Sequence, residues 1–248
     1  MNIVIQKSKS SLGKEAGKMA ANILRQTIQQ KGSANIILAT GSSQFETLNQ
    51  LIIESGIDWG KVMMFHLDEY INLPIEHKAS FRKYLQDRFI SRVSPLKSVN
   101  FINGETQPEQ ECKRLAEIIK KNPIDLALVG IGENGHLAFN DPPADFETND
   151  PYIIANLDHT CRQQQVNEKW FGSIEEVPLR AISMSIKQVM KSKYIICSVP
   201  GLRKAQAVKD SLEGPVTNMH PASILQSHSN CYLFLDNDSA SLLSNKEK

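Results

Sequence analysis

Apolar residues recur along this chain in two alternating periods. Short runs at Asn2 to Gln6, Ile36 to Ala39, Val62 to Leu67, Val99 to Ile102, Ile124 to Val129, Ala181 to Ile186, Tyr194 to Val199 and Cys231 to Leu235 read as strands. The most continuous of them have the character of strands buried on both faces. Between the runs the spacing turns helical. Leu12, Ala16, Met19, Ala20, Ile23, Leu24 and Ile28 form one stripe, behind a cap at Ser10 or Ser11, and Phe45, Leu48, Leu51 and Ile52 form a second. Phe81, Leu85 and Phe89 mark a helix beginning near Ser80. Leu115, Ile118 and Ile119 mark one opened by Pro108, and another is expected from about Leu202 to Leu212. Strands alternating with helices predict right-handed crossovers and an α/β fold: a mostly parallel sheet with helices on both faces.

In such sheets ligands bind beyond the carboxyl ends of the strands. Four strand ends here carry suggestive chemistry: Thr40-Gly41-Ser42-Ser43, Asp68-Glu69, the stretch from Gly130 to Asp141, and Gly201 with Lys204. The polar stretch from Asp158 to Phe171 has the composition of a lid.

Composition narrows the class. With 248 residues, 41% of them hydrophobic, residues 1–248 can bury one large core and are expected to form a single domain without repeats or linkers. The 28 basic and 27 acidic residues nearly cancel, so no long-range field draws nucleic acid or an anionic membrane. Any anion site must be local. The four cysteines are far apart and form no C-x-x-C pair, which points to neither zinc nor a disulfide scaffold. The N-terminal apolar run is too short for a signal segment, and no run is long enough to cross a membrane. A cytoplasmic protein is expected.

The candidate chemistry follows from residue types at the strand ends. Thr40, Gly41, Ser42 and Ser43 place hydroxyls and free N–H groups before a helix, which suits a phosphate; an ordinary helix cap is the alternative. Lys204, at a helix start where the dipole disfavours a cation, is explained by an anionic partner or as a solvated surface lysine. Gly130, Gly132 and Gly135 run G-x-G-x-x-G but continue into His-Leu-Ala-Phe-Asn, which is not a dinucleotide fingerprint. If Asp68 faces His136, the cleft has a carboxylate base and an imidazole that moves a proton near neutral pH, with Asp141 available to orient the ring. That suits proton transfer beside a carbonyl on a phosphorylated sugar.

The segments Leu38 to Ser42, Phe65 to Tyr70, Gly130 to Asn140 and Gly201 to Ala205, in order along nearly the whole chain, resemble the glucosamine-6-phosphate deaminase (isomerase) family. The resemblance implies a Rossmann-like fold and conversion of glucosamine 6-phosphate and water to fructose 6-phosphate and ammonia, without metal or organic cofactor. It implies that Asp68 is the base moving a proton between carbons 2 and 1, and that His136 helps open the sugar ring. Asn134 and Asp141 then occupy the positions of two acidic groups that hold that histidine. Thr40, Gly41, Ser42, Ser43 and Lys204 match the phosphate site. A sugar phosphate is the implied small-molecule partner, and a homo-oligomer is compatible with the sequence.

Three positions depart from the family pattern. Asn134 replaces the usual aspartate, and Asp141 replaces glutamate with a reach one bond shorter, roughly 1.5 Å. The lid's phosphate-binding arginine falls near Lys169, which keeps the charge and loses the bidentate fork. Members activated by N-acetylglucosamine 6-phosphate carry an arginine and a lysine where this chain has Ile153 and Ala155, so that activation is not expected. The related 6-phosphogluconolactonases typically show Asp-Glu-Arg where Asp68-Glu69-Tyr70 stands here. A non-catalytic sugar-phosphate sensor is the remaining alternative.

Overall fold

A computed structural model describes residues 1–244. The strands are β1 (Asn2–Gln6), β2 (Ala34–Leu38), β3 (Val62–His66), β4 (Asp68–Tyr70), β5 (Ser98–Asn100), β6 (Leu126–Val129), β7 (Tyr152–Asn156), β8 (Arg180–Met184), β9 (Tyr194–Val199) and β10 (Cys231–Asp236). The helices are α1 (Lys9–Lys31), α2 (Phe45–Ile53), α3 (Phe81–Arg88), α4 (Pro108–Lys121), α5 (His159–Asn167), α6 (Ile186–Met190) and α7 (Ala205–Glu213).

Seven strands form one parallel sheet in the order β1-β10-β9-β6-β2-β3-β5. Its central strands are mostly apolar because both faces are covered. On β6, Leu126 and Leu128 pack into one core with α1 and α2, while Ala127 and Val129 pack into the other with Leu115 and Ile119 of α4. The parallel sheet with helices around it is the α/β, Rossmann-like arrangement read from the alternating pattern. Chain order reverses across the β2–β6 pair, and a crevice at such a switch point is where open α/β sheets place ligands.

Three local expectations need correction. The cap of α1 is Ser8, not Ser10 or Ser11: its side chain accepts from the Ser11 backbone, and Ser11 Oγ reciprocates at the Ser8 N–H. The helix expected from Leu202 opens as a tight 3-10 turn over Leu202–Lys204, so the α-helix itself begins at Ala205 and Lys204 sits at its cap. Asp68-Glu69-Tyr70 is no loop. It forms β4, which pairs antiparallel with β8 in a second sheet of order β4-β8-β7. Met184 N–H bonds to Leu67 carbonyl at 2.8 Å and Leu67 N–H to Leu38 carbonyl at 3.3 Å, pinning the β3–β4 junction between the two sheets.

A third, aromatic core lies under the small sheet. Tyr70 sits among Phe81, Phe139 and Phe171 at centroid distances of 5.0, 5.3 and 5.5 Å. It ties β4 to the glycine-histidine loop and to the segment after α5. Among the described residues no helix is long and apolar enough to cross a membrane.

Candidate active site

Four neighbouring strands of the large sheet, β9, β6, β2 and β3, end on one side, so the chemistry-bearing segments that follow them meet. One cleft is lined by Thr40, Gly41, Ser42 and Ser43 after β2, Asp68 after β3, Gly132 and His136 after β6, and Lys204 after β9. Gln164, Gln165 and Glu168, in and just after α5, close it from above. Asn134 and Asp141 stand behind His136 and do not line the cleft.

The loop after β2 is shaped for an anion. Gly41 has φ of +91°, a left-handed conformation that a side chain would strain, and its carbonyl accepts from the Tyr84 hydroxyl at 3.0 Å. Gln44 donates to the Val129 carbonyl at 3.0 Å and fixes the loop against the end of β6. Lys204 reaches the same place with only 8% of its surface exposed. Burial lowers its ammonium pKa, opposed by the Glu168 and Glu133 carboxylates.

Asp68 is buried at the floor. Burial, reinforced by the charge of Glu69, pushes its carboxyl up to about 8. Glu69 points the other way, fully buried, and accepts from Ser80 Oγ at 3.0 Å, Tyr70 N–H at 3.0 Å, Phe81 N–H at 3.2 Å and Arg82 N–H at 2.8 Å. Arg82 Nε adds a charge-assisted bond at 3.2 Å. Adjacent carboxyls on one strand thus point to opposite faces, and burial, opposed by these bonds, raises Glu69 as well. Beneath them His66 is wholly buried with neither ring nitrogen hydrogen-bonded, and burial, aided by Arg82, lowers it to about 3.

His136 is held by its loop. Gly132 N–H bonds to the His136 carbonyl at 3.0 Å, Gly135 N–H to Gly132 at 3.1 Å, and the His136 N–H to Asn134 Oδ1 at 3.1 Å. The ring lies directly on Gly132: a Cβ there would come within 2.3 Å of His136 Cε1 and Nε2. His136 Nδ1 is 3.1 Å from Asp141 Oδ1, a close approach without the alignment of a hydrogen bond. Burial alone would raise the Asp141 carboxyl. The His136 contact, the Asn134 amide at 3.0 Å and the Asp158 N–H at 2.9 Å outweigh it and hold it low. Asn134 also donates to Asp158 Oδ2 at 2.9 Å, so it braces the carboxylate and the α5 cap and does not touch the imidazole ring itself.

Ligand atoms of His136, Asp141 and Cys161 lie within 4.8 Å of one another, a grouping that the cysteine spacing did not suggest. The Cys161 thiol is buried and its pKa is raised far above normal, chiefly by that burial.

The lid positions were read only in outline from the sequence. Lys169, matched to the family's arginine, is exposed and lines no part of the cleft, whereas Glu168 beside it does. Lys169 has φ of +67°, and this left-handed residue after α5 reverses the chain. No periodicity signals such a turn at a lysine.

Substituting Gly132 by alanine has a definite expected result. The new Cβ forces the His136 ring off Asp141, while the loop backbone, at an ordinary φ, is tolerated. Turnover should fall by about 100-fold or more, the scale of a lost acid–base group, with the melting temperature little changed. Turnover at the parent rate would show that the ring position is unimportant.

A buried carboxyl, a histidine and a buried lysine thus share one cleft at the switch point of an α/β sheet. The chain belongs to the family described as glucosamine-6-phosphate isomerases/6-phosphogluconolactonase, whose profile matches residues 7–233. It is 38% identical over 244 residues to a glucosamine-6-phosphate deaminase of Lactobacillus delbrueckii subsp. bulgaricus, covering 98% of this chain and 100% of the relative. It is 40% identical over 233 residues to the Oenococcus oeni protein of that name, covering 94% and 96%. Among solved structures, a monomeric glucosamine-6-phosphate deaminase superposes with a TM-score of 0.88 at 31% identity, covering 98% of this chain and 100% of that one. A 6-phosphogluconolactonase from Thermotoga maritima gives 0.78 at 14% identity, covering 95% and 98%, a likeness of fold.

Proposed function

We propose that this chain is a glucosamine-6-phosphate deaminase, converting glucosamine 6-phosphate and water to fructose 6-phosphate and ammonia. The observation that carries the reading is the buried Asp68 carboxyl in one cleft with His136 and Lys204. Full-length relatives of that name, 38% and 40% identical, support it. Tyr70 stands where the lactonases typically have arginine, and it is packed in an aromatic cluster that leaves a guanidinium no room.

The roles follow from position. The phosphate enters the cradle of Thr40, Gly41, Ser42 and Ser43 and is met by Lys204, whose buried charge then gains a dianion as partner. His136 takes the proton of the anomeric hydroxyl and returns one to the ring oxygen, opening the sugar to its aldehyde. Asp141 steadies the imidazolium formed in between, and Asn134 steadies Asp141. Asp68 removes the proton from carbon 2 and delivers it to carbon 1, while the carbonyl oxygen takes up a proton and the amine gives one up, leaving a hydroxyl at carbon 1 and an imine at carbon 2. Water adds there and ammonia departs. A carboxyl near pKa 8 suits a base that must take a carbon-bound proton and also give it back. The protein acts inside the cell as one α/β domain.

The test is turnover. Purified protein with glucosamine 6-phosphate should release ammonia and fructose 6-phosphate in equal amounts while leaving 6-phosphogluconolactone unhydrolysed. Lactone hydrolysis without ammonia would reverse the assignment. Lys204→Ala should remove a charge-assisted contact of about 1.5–3 kcal/mol, raising KM roughly 10- to 100-fold with less change in kcat. An unaltered kcat/KM would remove Lys204 from the site.

A further inference from the structure

If the Thr40 to Ser43 loop and Lys204 form the phosphate end of the cleft, as proposed above, an anion already stands there. Glu168 Oε2 accepts from Ser42 Oγ at 2.9 Å and from Trp170 Nε1 at 3.3 Å, and Oε1 accepts from Gln164 Nε2 at 2.8 Å. The left-handed turn at Lys169 leaves Glu168 lining the cleft and Lys169 exposed. Burial would raise the Glu168 carboxyl, but Lys204 and the three donors outweigh it and keep it ionised. The free volume left in the cleft is about 80 Å³. That admits a few waters and falls well short of the roughly 300 Å³ at which ligand pockets begin. The cleft as it stands is narrow, and its cation is balanced from within.

We propose that Glu168 is an internal stand-in for the substrate's phosphate, holding the end of α5 against the cradle until an incoming phosphate displaces it. The Ser42 hydroxyl has one proton to donate and cannot serve both anions at once. A carboxylate left beside a bound phosphate dianion around one buried ammonium is repelled, so Glu168 and the end of α5 must move outward as the phosphate enters. The device sets specificity. A free amino sugar has nothing with which to displace Glu168, and the cleft stays closed to it. It also costs affinity, because apparent binding falls in proportion to the fraction of time the cradle is free.

Inorganic phosphate is the probe, since its binding is read without turnover. Trp59 and Trp170 are the chain's two tryptophans. In a Trp59→Phe background, phosphate should alter Trp170 emission as its Glu168 partner leaves. By calorimetry Glu168→Gln should bind phosphate about tenfold or more tightly than the parent, with Glu168→Ala shifting the same way. Binding by the variants alone, with the parent too weak to measure, counts equally for displacement. Equal or weaker binding by both variants, with parent-like circular dichroism, would overturn the proposal and make Glu168 a support of the cradle. Where Glu168→Gln fails to fold, Glu168→Ala decides. Absence of phosphate binding in parent and variants alike would instead remove the phosphate-end reading itself.

Discussion

Asp68→Asn should lower kcat for glucosamine 6-phosphate by about 100-fold or more while leaving substrate binding nearly intact, the usual scale for losing a general base. It should also stabilise the fold, and the sign of that effect is fixed by burial. Burial, reinforced by Glu69, lifts the folded carboxyl to about 8 from the 3.8 of an ordinary aspartate. Between those values the unfolded chain has released a proton that the folded chain keeps, so the parent loses stability as pH rises from about 4 to about 8 and levels off above. Asparagine carries no such penalty. The melting temperature of Asp68→Asn minus that of the parent should therefore be small near pH 4 and grow up to pH 8. A constant difference across that range would show that Asp68 is not held protonated. In the parent, kcat/KM should fall about tenfold per pH unit below 8, as the free enzyme's base becomes protonated.

Glu69→Ala should cost about 3–5 kcal/mol, the range for breaking a buried ion pair from one side. The carboxylate is fully buried and takes five hydrogen bonds from Tyr70, Ser80, Phe81 and Arg82. Arg82 keeps Glu105 at 2.8 Å and the Leu73 carbonyl at 2.8 Å, which places the expected loss near the lower bound. At roughly 2–4 °C per kcal/mol for a chain of this size, the melting temperature should drop by about 6–12 °C. Glu69→Gln separates structure from electrostatics. It removes the charge that reinforces burial in lifting Asp68, so the acid limb of kcat/KM should move to lower pH. A limb that stays put would mean that burial alone sets the Asp68 value.

The large sheet was legible because its central strands are buried on both faces and read as apolar runs, as in Leu126 to Val129 and Ile195 to Cys197. Its strand ends announced their chemistry for a topological reason: β9, β6, β2 and β3 are neighbours, so segments far apart in sequence share one edge. Of the small sheet only the strand around Ala181 was legible. Asp68 to Tyr70 is three residues long and becomes a strand only by pairing with Ala181 to Ser183, which local propensity cannot announce. The His136–Asp141 contact was legible from five-residue spacing within one loop, whereas the Asn134–Asp158 bond joins residues 24 apart. Glu168 was missed because a glutamate in a polar lid looks like any solvated surface charge. Its inward aim depends on a left-handed backbone at Lys169, where glycine would have been the readable signal.

The central claim is that Asp68 carries a proton to and from carbon 1 of the sugar. The direct measurement is magnetic resonance of fructose 6-phosphate incubated with the protein and ammonium in D2O. Deuterium should accumulate at one of the two carbon 1 hydrogens with the parent protein and be lost, by about 100-fold or more in rate, with Asp68→Asn. Exchange at the parent rate in Asp68→Asn would contradict the account.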